Sequence, residues 1–154
     1  MPRLRLIALD PDDLTVLGTH LQDSVAKLSN MTYRPQDRRF IALVNRFAWD
    51  HTTSNAARND EFERRRAALR IERVARAQVS GLNLMRPDTI VSILTVTFTP
   101  DSDTAKSPAG VLTMHFSGGA AIRLDVECLE MMLEDLGPTW KAKTQPHHSE
   151  NIPE

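Results

Sequence analysis

The chain has 154 residues, with 19 Lys and Arg against 20 Asp and Glu, so its formal net charge is −1. That balance excludes a strongly basic or strongly acidic protein, and 41% hydrophobic residues with six Gly and nine Pro exclude a collagen, a low-complexity tail and a wholly disordered segment. The charge is uneven: residues 34–86 carry twelve Arg and six acids, net +6, whereas residues 87–154 carry four basic residues and ten acids, net −6.

Residues 3–9 alternate Leu4, Leu6 and Ala8 with Ile7 and Leu9, the pattern of a short strand buried on both sides. Asp10-Pro11-Asp12-Asp13 starts a helix: Asp10 accepts from a free first-turn N–H, Pro11 suits the first helical position, and the acids favour the positive end of the helix dipole. Leu14, Leu17 and Leu21 form its core stripe, and Gly18 would allow close approach of another backbone. Residues 38–49 read as the longest strand of the first half, with Phe40, Ala42 and Val44 on one face and Ile41 and Leu43 on the other. Residues 50–66, poor in apolar side chains, read as a long loop ending in Arg64-Arg65-Arg66.

From 68 to 79 an alternation returns, with helix as the competing reading because Ala, Arg and Glu favour it. Residues 90–99 read as a half-exposed strand with Ile90, Leu94, Val96 and Phe98 facing in and Thr95, Thr97 and Thr99 facing out. Residues 100–110 are a loop. A hairpin follows, and its hydrophobic register favours a three-residue turn, Ser117-Gly118-Gly119, which pairs Met114 with Ile122 and Leu112 with Leu124. Asp125 is placed to cap a last helix whose stripe is Val126, Leu129, Met132, Leu133 and Leu136, ended by Gly137-Pro138.

This order predicts a single α+β domain over 1–138 and a polar, flexible tail over 139–154. The expected sheet is antiparallel and curved, of about six or seven strands, with a helix after strand 1 and a C-terminal helix. Such an arrangement resembles the pleckstrin-homology-like class and its phosphotyrosine-binding-like members. One cysteine, Cys128, permits no intramolecular disulfide, and the N-terminal apolar run is too short for a secretory signal or a spanning helix, so the expected location is the cytoplasm.

The segments Leu6-Ile7-Ala8-Leu9-Asp10 with Asp13-Leu14, His20-Leu21-Gln22-Asp23-Ser24-Val25, and Arg38-Arg39-Phe40 followed by Asn45-Arg46-Phe47 carry a resemblance. Through them the sequence is similar to a bacterial family, the domain of unknown function family 2948, over most of the chain to about Leu136. The resemblance implies no activity, so it brings no catalytic role to any residue.

No Walker-type loop, GxGxxG, HExxH or CxxC occurs, and no catalytic residue, metal ligand or cofactor is assigned. His147-His148 lacks a scaffold for a metal, and His115 reads as a surface residue of the hairpin near Arg123. His20 and Asp23, three apart on a helix, could pair for proton transfer, but satisfying backbone groups at the helix end explains them as well. Cys128 would fall in the first turn of the last helix, as a small packed hydrophobe.

The arginines remain. Arg38, Arg39, Arg46, Arg70, Arg73 and Arg76 are the candidate anion- or partner-binding residues, since a guanidinium fork suits carboxylates and phosphates. The competing reading pairs them internally with Glu127, Glu130, Glu134 and Asp135. Few aromatics accompany them, which disfavours nucleic acid. The expected function is a non-enzymatic binding or adaptor module for a protein segment or an acidic ligand. The alternatives are a small enzyme around His20 and Asp23 and a structural homo-oligomer, and sequence does not fix the oligomeric state.

Overall fold

A computed structural model describes residues 3–47, 64–101 and 108–137. Its elements in chain order are β1 (Arg5–Ala8), α1 (Pro11–Leu21), β2 (Val25–Lys27), β3 (Met31–Arg34), β4 (Arg39–Phe47) and β5 (Arg64–Ile71). There follow β6 (Val74–Ser80), β7 (Ile90–Pro100), β8 (Gly110–Phe116), β9 (Ala121–Val126) and β10 (Met131–Asp135). The fold is mixed α and β, as expected. Among the described residues the sheet has 10 strands rather than six or seven, in the order β1-β10-β5-β4-β2-β7-β8-β9-β6 with β3 also on β4, and it does not close.

Local signals set several of these elements. Asp10 accepts the Asp13 N–H at 2.8 Å and Pro11 opens the helix, so α1 begins where its cap predicts. Leu14, Leu17 and Leu21 bury one stripe, which meets β7, β1 and β4. A Cβ on Gly18 would meet nothing within 4 Å, so the expected close backbone approach there does not occur. The β8–β9 hairpin turns through Ser117, Gly118 and Gly119, with Gly118 at φ 88°, and pairs Met114 with Ile122 and Leu112 with Leu124 as the hydrophobic register requires.

β5 pairs with β10 and β6 pairs with β9, so one two-stranded ribbon runs through both pairs and bends between them. At the bend the Glu72 N–H donates to the Glu130 carbonyl and the Glu127 N–H to the Arg73 carbonyl, each at 3.0 Å. The Tyr33 hydroxyl ties β3 to the same corner by donating to the Val74 carbonyl at 2.9 Å. The bend turns the inner faces of the two halves toward one core, in which Leu69, Ile71, Leu133, Leu112, Met114, Phe116 and Leu124 are almost wholly buried.

Four further expectations are corrected. The last helix does not form: residues 127–130 make the corner, Met131–Asp135 is a strand, Asp125 lies in β9, and Cys128 sits half-buried in the corner. Arg64, Arg65 and Arg66 open β5 rather than end a loop; residues 48–63 and the tail 139–154 lie outside the described residues. β1 is an edge strand whose outer residue Ile7 is exposed, as is Leu9 just beyond its end, so it is not buried on both sides. In β7 the buried residues are Val91, Ile93 and Val96, while Ile90 is 62% exposed and Leu94 is also exposed. A register shift between Ile93 and Thr95 moves the phase of the strand, and alternation counted without that bulge puts Ile90 and Leu94 on the wrong face.

Candidate functional site

Each of the six arginines singled out in the sequence meets a carboxylate. At the corner, Arg38 pairs with Glu127, Arg39 Nε lies 3.0 Å from both Glu72 oxygens, and Arg73 Nε lies 3.4 Å from Glu130. Arg70 Nε is 3.0 Å from Glu72, and Arg76 Nε is 3.1 Å from Asp125. Arg38, Arg39 and Arg73 line an open cavity of about 430 Å³, but Asp37, Glu72, Glu127 and Glu130 line it too. Among the described lining residues the acids outnumber the arginines four to three, which works against a further anion there.

Arg46 behaves differently. It continues the buried face of β4 beyond Phe40, Ala42 and Val44, and its side chain is 3% exposed. Its Nε and a terminal nitrogen donate to the two oxygens of Asp135 at 2.8 and 2.9 Å, a bidentate pair whose acid is 2% exposed. Asp135 also accepts the Leu4 N–H at 2.9 Å, which binds β1 to β10. Arg65, opposite Arg46 in the register, is buried beside them. Burial acts to raise the Asp135 carboxyl, but the Arg46 hydrogen bond, the Leu4 N–H and the charges of Arg46 and Arg65 outweigh it and hold the group below its ordinary value. Arg46 is therefore part of the interior.

The outer face of the same sheet carries cations of another kind. Residues of β5, β4, β2 and β7 line a groove of about 230 Å³: Arg66, Asn45, Leu43, Val25, Ala26, Lys27 and Ile90, together with Asn30. The groove exists because β2 is only three residues long and pairs with β4 at a single position, Val25 to Asn45, before the chain leaves for β3. Among the described residues no carboxylate lines it, and neither Lys27 nor Arg66 has an ion pair. Glu134, diagonal to Arg66 on β10, lies 3.9 Å from Arg5. Sequence reading passed over both cations, because Arg66 was assigned to a loop and Lys27 stands alone.

His20, in the last turn of α1, is half-buried, and Asp23 follows the helix with φ 69° while its N–H donates to the Ile93 carbonyl at 2.9 Å. Neither residue lines the corner cavity or the groove. His115, half-buried on β8, has Nε2 3.1 Å from the Thr97 hydroxyl. Among the described residues no group of three or more His, Cys, Asp or Glu is placed to hold a metal ion, and no helix is long and apolar enough to cross a membrane.

No curated protein and no solved structure shows a significant match to this sequence. A family model does match, over residues 4–148, and the chain belongs to that family, described as "Protein of unknown function (DUF2948)".

Proposed function

We propose that this protein is a non-catalytic binding module that takes an acidic protein segment on the outer face of its sheet, in the groove between β5 and β7. One observation carries the reading: Lys27 and Arg66 line a partly apolar groove with no carboxylate among its described lining residues, whereas the other arginines of the middle segment that line the corner cavity share it with acids. An acidic chain gains most where basic side chains have no intramolecular partner to give up. Among the described residues no aromatic side chain lines the groove for a base to stack on, which favours a protein over a nucleic acid. The likeness to pleckstrin-homology-like topology included a C-terminal helix, whose place β10 takes. The proposal therefore draws nothing from that likeness.

Titration of the protein with fluorescent polyglutamate at low and high salt tests the reading. Binding at low salt, weakened by salt and about tenfold weaker in Lys27→Ala/Arg66→Ala, is the expected result. An Arg38→Ala/Arg73→Ala variant keeps its affinity. No binding at low salt, or equal affinity for the wild type and the Lys27/Arg66 variant, would sink the proposal.

A further inference from the structure

The groove has a spacing, and the spacing restricts what it can hold. Across the strands, Arg66 stands opposite Asn45 and Asn45 opposite Val25; two residues further along the same face, Leu43 stands opposite Ala68, and Lys27 stands opposite Ile90. Neighbouring strands are about 4.8 Å apart and two residues along a strand span about 6.6 Å. Arg66 and Lys27, two strands and one such step apart, thus have Cβ atoms about 12 Å from each other. The midpoint of that line falls on β4 between Leu43 and Asn45, an apolar side chain beside an amide.

Four residues of an extended chain cover about 13 Å and return the side chain to the same face, with the second residue of the four at the midpoint, also on that face. We infer that the groove recognises an extended peptide with two acids four positions apart and an apolar residue halfway between them. One acid meets Arg66, the other Lys27, and the apolar side chain rests on Leu43. The Asn45 and Asn30 amides are placed to bond the peptide backbone, and a volume of about 230 Å³ suits two or three side chains of a longer segment better than an engulfed small molecule.

This inference rests on the binding proposed above, and its test separates the two. The labelled protein is titrated with blocked Glu-Ala-Leu-Ala-Glu and with its isomer Leu-Ala-Ala-Glu-Glu, which has the same composition and charge, and binding is read from amide chemical shifts. The expected result is about tenfold tighter binding of the first peptide. That preference disappears in Lys27→Ala and in Arg66→Ala, both exposed positions whose thermal unfolding is unchanged. Equal affinity for the two peptides, or a preference that survives both substitutions, overturns the spacing; if polyglutamate still binds through Lys27 and Arg66, the acidic-segment proposal stands. Failure of polyglutamate and of both peptides to bind overturns the two together.

Discussion

Asp135 ties three segments of the molecule together. It joins β10 to β4 through Arg46 and to β1 through the Leu4 N–H, in an interior where an unpaired charge is costly. Asp135→Ala leaves Arg46 buried without its acid and is expected to cost about 3–5 kcal/mol in chemical denaturation. Arg46→Met/Asp135→Leu, which removes both charges at similar volume, should recover most of that loss; a double variant no more stable than the single one would contradict this account. Because the folded carboxyl titrates below its unfolded value, its stabilisation is present above the unfolded value and disappears as pH falls through the folded one. The stability gap between wild type and Asp135→Asn should accordingly narrow as pH falls below about 4, in unfolding measured across that range.

Among the elements, β10 shows how a local pattern can support two answers. Val126, Leu129, Met132 and Leu136 fit one face of a helix, yet Met131, Leu133 and Asp135 also alternate as one face of a strand. The strand forms because β1 and β5 each present an open edge: Met131 pairs with Ala8 and Ile71, and Leu133 with Leu6 and Leu69. A helix would satisfy its own backbone but leave both edges unpaired. The start of β8 is constrained by space. A Cβ at Gly110 would stand 2.5 Å from the Thr99 carbonyl oxygen and 2.7 Å from the Phe98 ring. Gly110→Ala should therefore cost about 1–3 kcal/mol, seen as a lower denaturation midpoint, since the backbone oxygen it meets is fixed in the β7–β8 ladder.

Over the whole molecule, much of the charge asymmetry is spent inside the chain. Arg38, Arg73, Arg76 and Arg46 of the basic middle meet Glu127, Glu130, Asp125 and Asp135 of the acidic C-terminal part. The Arg38–Glu127 pair is exposed, so Arg38→Ala should change stability by less than about 1 kcal/mol. Arg73 has φ 62°, a left-handed conformation that glycine adopts freely. Arg73→Gly should on that account be more stable than Arg73→Ala by about 0.5–1 kcal/mol in equilibrium unfolding.

Caps, turns and short-range register act over a few residues, and these the sequence determined by itself. The Asp10-Pro11 start of α1, the core of β4 and the three-residue hairpin between β8 and β9 were all legible there. Of the candidate site, the sequence supplied the residue type and the region but not the face. Whether an arginine is buried, neutralised or left to line a groove depends on partners far along the chain: Asp135 is 89 positions from Arg46, and Asn45 meets Arg66 and Val25 only once β4 lies between β5 and β2. The same dependence decided 131–135, where the edges of β1, near the start of the chain, and of β5, in its middle, settled between two apolar patterns. Tertiary structure decided these points because strand pairing and charge pairing are contacts between distant residues, and no local propensity encodes which distant residue arrives.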